Sequence, residues 1–183
     1  MQQTNLGAYN NYPYHPGGSI LKRMLWYYTS ALVFRSVLLP VSAIKVFLLR
    51  LFGSTIGKGV VIKPGVNIKY PWLLSIGDNT WLGEAVWIDN VAQVSVGSNV
   101  CISQGAILQT GSHNYKKAAF DLITGSIILE DGVWIGCRVV VNQGITVASH
   151  AVLTSGSVAT KNLEPYTVYQ GNPAVAVRPR VIS

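Results

Sequence analysis

From Ile56 onward an aliphatic residue recurs every six positions. It stands at Ile56, Ile62 and Ile68, at Ile76, Leu82 and Ile88, and at Val96, Ile102 and Leu108, then resumes at Leu129, Ile135, Val141, Val147, Leu153 and Ala159. Four places after each aliphatic the residue is usually small or β-branched, as at Val60, Val66, Thr80, Val86, Val100 and Ala106. A strand repeats every two residues and a helix every 3.6, so a strict six-residue frame fits neither alone. It fits a triangular solenoid, in which each hexad supplies one short strand and a corner, three hexads make a coil, and the stacked aliphatics form the core. The first three triplets are each separated by two extra residues, which makes Ile56, Ile76 and Val96 equivalent positions of successive coils. The fold class is therefore mainly β, a parallel β-helix over residues 53–163.

The frame breaks most widely between Leu108 and Leu129, where residues 109–126 form one inserted loop. Ahead of the repeat, residues 1–18 are rich in Asn, Tyr, Gly and Pro and read as an extended arm. Residues 19–52 are bulky and apolar, with Ser19 as a helix N-cap and Pro40 dividing the stretch into two short helices. Arg35, Lys45 and Arg50 interrupt the apolar run, and a bilayer-spanning helix needs about 20 mostly apolar residues. Two readings stay open for these helices: packing on the domain or a neighbouring subunit, or peripheral contact with a membrane surface. Residues 164–183 read as a C-terminal tail.

Charge narrows the partners. The 183 residues carry a formal net charge of +7, with 11% charged and 49% hydrophobic. Nucleic acid, an anionic membrane or an anionic cofactor would each reward this potential. No nucleic-acid-binding motif or dense basic run accompanies it, so nucleic acid is set aside. Cys101 and Cys137 have no C-x-x-C neighbour and suit neither a zinc knuckle nor a disulfide framework. The first residues lack the pattern of a secretory leader, and the expectation is a cytoplasmic protein, with residues 19–52 a candidate contact to the inner face of the membrane.

Of three histidines, His15 lies in the arm and His150 at a turn of the repeat, where structural roles are expected. His113 stands at the mouth of the inserted loop, in Gly111-Ser-His-Asn-Tyr115, where a rigid scaffold tends to carry function. An imidazole accepts a proton near neutral pH, and a carbonyl or carboxylate on its other nitrogen would fix the tautomer. A zinc site of the carbonic-anhydrase kind needs three imidazoles, and His113 has no second histidine near it in sequence, so no metal is expected.

The hexads, the Thr110-Gly-Ser-His113 segment, Val133-Trp-Ile-Gly136 and the ending Gly171-Asn-Pro-Ala174 together resemble the hexapeptide-repeat O-acetyltransferases, with the colanic-acid-biosynthesis group as the nearest likeness. Arg50-Leu-Phe-Gly53 and Tyr70-Pro-Trp72 extend the resemblance to about residues 20–180. The resemblance implies a left-handed β-helix, a homotrimer, acetyl-CoA as co-substrate in a groove between subunits, and a sugar or polysaccharide-precursor acceptor. His113 would be the catalytic base, acting without an acyl-enzyme. Trp134 would pack beside the reacting centre, and Cys137, Ser155, Thr160, Lys161 and Arg178 would line the coenzyme. Where the sugar acetyltransferases use an asparagine to hold the acceptor this chain has Ala85, so Glu84, Asp89, Asn90 and Tyr115 become the acceptor candidates. A non-catalytic β-helical assembly, or transfer of another acyl group or to an amine, would use the same scaffold.

Overall fold

The computed structural model describes residues 3–183. Strands of two to five residues stack into three parallel faces. The first face carries Thr55–Ile56, Leu74–Ile76, Val94–Val96, Ile127–Leu129 and Thr146–Val147; the second runs from Val61–Ile62 through Trp81–Leu82, Cys101–Ile102 and Trp134–Ile135 to Val152–Leu153; the third from Asn67–Ile68 through Trp87–Asp89, Ile107–Gln109 and Val140–Val141 to Val158–Ala159. Registers align the hexad aliphatics one above another, for instance Ile62 with Leu82, Leu82 with Ile102, and Ile102 with Ile135. All fifteen hexad aliphatics are buried, and the smaller residues at Val60, Val66, Val86, Val100 and Ala106 fill the space beside them. Each such side chain contributes on the order of 1.5–3 kcal/mol through burial, and repetition makes the core continuous.

Backbone geometry at two corners explains the polar and small residues there. Between the first and second faces, Gly59, Asn79, Asn99, Gly132 and His150 all have positive φ; between the second and third, Gly65, Ala85, Gly105, Arg138 and Gly156 do. Coils also approach closely at Gly77, where a Cβ would come within 2.6 Å of the Gly97 carbonyl carbon. Thr80 lies fully buried in the stack; its hydroxyl donates to the Gly97 carbonyl and accepts from the Val100 amide.

The open edge of a solenoid is a row of unpaired backbone groups. Here helix α2 (Ser42–Leu51) covers the first coil. The Ser42 hydroxyl accepts from the Ile62 amide, the fully buried Lys45 amine donates to the carbonyls of Ile62 and Lys63, and the Arg50 guanidinium donates to those of Ile56 and Gly57. Burial pushes the Lys45 ammonium below the ordinary lysine range. Helix α1 (Ile20–Thr29) begins at Ser19, whose hydroxyl accepts from the Lys22 amide, and continues as one wider turn over Ser30–Phe34. Trp26 fixes it in place: its ring packs edge-on with Phe34 and tilted against Phe52, and its indole N–H donates to the Ile68 carbonyl.

Two segments are more structured than the sequence suggests. Residues 164–183, read as a tail, include Thr167–Gln170, which pairs with Val152–Leu153, and Val175–Pro179, which folds back antiparallel on it and lengthens the second face. The Arg180 guanidinium latches this end by donating to the carbonyls of Gly132 and His150. The arm carries a short 3-10 turn at Leu6–Ala8 and docks on the inserted loop and the solenoid, with Asn5 N–H donating to the Ala118 carbonyl and the Trp72 indole donating to the Pro16 carbonyl.

Candidate active site

The inserted loop leaves the solenoid at the corner between the third and first faces. Thr110 pins its base: the buried hydroxyl donates to the Asp89 carbonyl and accepts from the Ala92 amide, so the loop is fixed to the coil beneath. Beyond it, Gly111–His113 pairs antiparallel with Leu122–Thr124, and Gly125 N–H closes the hairpin on the Thr110 carbonyl. His113 therefore sits on a strand, opposite Leu122.

The hairpin orients the imidazole through its own backbone. Phe120 has φ +54°, in the left-handed region, and His113 Nδ1 lies 2.9 Å from its carbonyl oxygen. A carbonyl only accepts, so Nδ1 carries the hydrogen and Nε2 is left with its lone pair. The Phe120 ring stacks on the imidazole at 4.5 Å with 10° between planes, and the ring of Tyr9 in the arm lies 5.6 Å from it, tilted by 58°. Neither residue was a candidate from sequence: the essential atom of Phe120 is main chain, and Tyr9 is remote along the chain.

Beside the hairpin, a cavity of about 500 Å³ is lined by Tyr12 and Tyr14 of the arm and by Asp121, Leu122 and Thr124. The Tyr14 hydroxyl is buried without a hydrogen-bond partner among the described residues. Burial, reinforced by Tyr70 and Asp89, pushes it up to about 12, so it remains a neutral donor.

The acceptor candidates separate. Tyr115 is exposed in the hairpin turn, its amide bonded to the His113 carbonyl. Asp89 lies directly beneath, paired in register with Gln109, and its carboxylate holds Lys69 at 2.8 Å. Glu84 is exposed at a different corner, between the second and third faces. Asn90 is a correction: it is fully buried, its amide donates to the carbonyls of Tyr70 and Leu73 and its oxygen accepts from the Tyr70 amide. Both amide hydrogens and one lone pair of its oxygen are committed to the corner, and the side chain is closed off from the surface where an acceptor would sit.

The coenzyme candidates form a second group. Trp134 projects outward from the second face, half-exposed, its indole donating to the Ser103 hydroxyl at 3.0 Å. It shares a cavity of about 320 Å³ with Thr154, Arg178 and Arg180. Cys137 and Ser155 stack in successive coils at the adjoining corner, where Gly156 N–H donates to the Cys137 carbonyl. Thr160 and Lys161 instead follow the third face, on the same edge as the hairpin but two strands along. In a triangular prism the second face lies opposite the corner that carries His113, so Trp134 does not pack beside the imidazole of its own chain. Within one chain His113 and the Trp134–Arg178 cavity are on different sides.

No protein-family model matches the chain. It is 37% identical over 165 residues to WcaF of Escherichia coli (strain K12), a protein named for colanic acid biosynthesis acetyltransferase; the match covers 90% of this chain and 91% of that one. It is 30% identical over 128 residues to the galactoside O-acetyltransferase of the same organism, covering 68% and 63% of the two chains. Among solved structures, the hexapeptide-repeat acetyltransferase VCA0836 of Vibrio cholerae, complexed with acetyl coenzyme A, superposes with a TM-score of 0.79 at 28% identity over 88% of each chain. Repeat, solenoid and relatives agree, and the chain belongs to the hexapeptide-repeat acetyltransferase family.

Proposed function

We propose that this acetyltransferase moves an acetyl group from acetyl-CoA to a sugar hydroxyl of a polysaccharide or its precursor, with His113 as general base. The observation that carries the reading is the 2.9 Å contact between His113 Nδ1 and the Phe120 carbonyl. It leaves Nε2 to take the proton from an acceptor hydroxyl as the oxygen attacks the thioester carbonyl. Collapse of the tetrahedral adduct breaks the C–S bond, and the leaving thiolate recovers the proton from the imidazolium. No acyl-enzyme forms, and neither Cys101 nor Cys137 acts as nucleophile.

The site is assembled between subunits of a homotrimer. Support comes from the prism itself: His113 and the Trp134–Arg178 cavity stand on opposite sides of one chain, and a neighbouring copy brings one to the other. Trp134, Cys137, Ser155 and Arg178 of one subunit then line the coenzyme against His113 of the next, with Thr160 and Lys161 along the hairpin's own edge. Asp89 and Tyr115 flank the acceptor from the same chain as the base, and Glu84 reaches it only across the interface.

Free CoA release, followed with a thiol reagent over a panel of sugars and nucleotide sugars, tests the reading. An acceptor-dependent rate is expected, and His113→Ala should lower kcat by roughly 10²–10⁴ while leaving coenzyme binding within a few-fold. A variant that releases CoA at the wild-type rate would remove His113 from the mechanism.

A further inference from the structure

Charge is distributed very unevenly along this chain. Residues 1–77 contain Lys22, Arg23, Arg35, Lys45, Arg50, Lys58, Lys63 and Lys69 and no Asp or Glu; every one of the 7 acidic residues follows, from Asp78 onward. The positive charge thus belongs to the two helices and the first coil, from Lys22 onward. Among the described residues only two ion pairs form, Lys69–Asp89 and Lys117–Asp121, so Arg23, Arg35, Lys58 and Lys63 keep no acidic partner.

The same segment exposes its apolar side chains. Helix α1 spends Trp26 and the following turn Ser30 and Phe34 on the solenoid, and turns Leu21, Met24, Leu25 and Tyr28 outward. In α2, Lys45 and Leu49 face in, while Ile44, Phe47 and Leu51, three and four residues apart, face out. Leu38, in the connection, is 87% exposed. Arg23 and Arg35 line one cavity with the exposed Tyr27 and with Asp89, whose carboxylate pairs with Lys69, so cations adjoin the apolar surface of α1. Among the described residues no helix is long and apolar enough to cross a membrane.

We infer that residues 20–51 form a docking surface for an anionic phospholipid bilayer, with α1 and α2 lying in the plane of the interface. Apolar side chains enter the headgroup boundary, and unpaired cations meet lipid phosphates, the combination that holds peripheral helices at membranes. Contiguous apolar exposure of this kind marks an interaction site. The absence of any acid from the segment favours an anionic partner over a two-fold contact with a second copy of this chain, which would set two equally cationic surfaces face to face. The inference is independent of the acetyl-transfer reading and places that chemistry beside lipid.

Flotation of the full chain with vesicles tests it. With phosphatidylglycerol–phosphatidylethanolamine vesicles the protein should float, with pure phosphatidylcholine it should stay at the bottom, and raising the salt to 0.5 M should weaken flotation. Leu25→Glu/Phe47→Glu should abolish flotation, with the wild-type circular dichroism and thermal midpoint establishing that the variant is folded. Arg35→Glu, which leaves the apolar surface intact, should weaken partitioning by about fivefold or more. Failure of the full chain to float with anionic vesicles overturns the inference. So does a Leu25→Glu/Phe47→Glu chain that floats normally, or one whose sedimentation velocity reports a smaller assembly, since a second copy would then be the occupant.

Discussion

His113 Nδ1 and the Phe120 carbonyl oxygen are 2.9 Å apart, and the ring of Phe120 lies nearly parallel to the imidazole it orients. The two contacts can be separated experimentally. Phe120→Ala keeps the carbonyl and removes the stacked ring, so the tautomer survives and the ring's orientation loosens. A fall in kcat of about tenfold is expected, since small misplacements of a base are costly, with KM for acetyl-CoA changed less than twofold. An equal rise in KM with unchanged kcat would assign Phe120 to substrate binding instead.

Opposite placement of His113 and Trp134 on the prism makes a mixing experiment decisive. Chains carrying His113→Ala and chains carrying Trp134→Ala, each expected to be weakly active alone, are unfolded together at equal ratio and refolded. If each site takes its base from one subunit and its indole from the next, about one site in four recovers both intact groups. A single-chain site recovers none, and activity no higher than the parents would refute the shared site.

Lys45 gives the stability a particular pH dependence. Its folded pKa is lowered by burial from the ordinary 10.5, so between the two values the unfolded chain binds the extra proton and the unfolding free energy rises with pH. The cost of burying the ammonium is full below the folded pKa and disappears as pH climbs above it. Relative to Lys45→Met, the wild type should gain stability as pH rises toward 10.5, read from urea midpoints. Parallel curves for the two proteins would show that Lys45 stays charged throughout.

Gly132 and His150 are neighbours in the corner stack, and a Cβ on Gly132 would fall within the His150 imidazole. Gly132 also has φ +67°. Gly132→Ala should therefore cost at least ~1 kcal/mol for the left-handed conformation, with a steric penalty added. His150→Ala alone loses only the stacking with Tyr166 at 4.8 Å. In the double variant the steric part should be relieved, giving a cost below the sum of the single ones. Simple additivity of the melting shifts would deny the collision.

The six-residue recurrence of buried aliphatics determined the solenoid, because a period that matches neither strand nor helix leaves few ways to hide Ile62, Leu82 and Ile102 together. The break after Leu108 likewise located His113, and Ser19 signalled the start of α1. What holds His113 was not legible, since a main-chain carbonyl at Phe120 leaves no mark in residue type and Tyr9 arrives from the far end of the chain. Asn90 read as a polar candidate near the site because polarity alone cannot tell a hydrogen-bonded corner from a free ligand; only burial and three satisfied contacts decide that. The C-terminal strands escaped notice because Thr167–Gln170 and Val175–Pro179 carry no hexad frame and gain their pairing from an edge already built. Local pattern fixes which side chains a repeat must bury, whereas the sides of the prism on which His113 and Trp134 emerge follow from how many residues each corner holds, and the coils had to be stacked before those sides could be assigned.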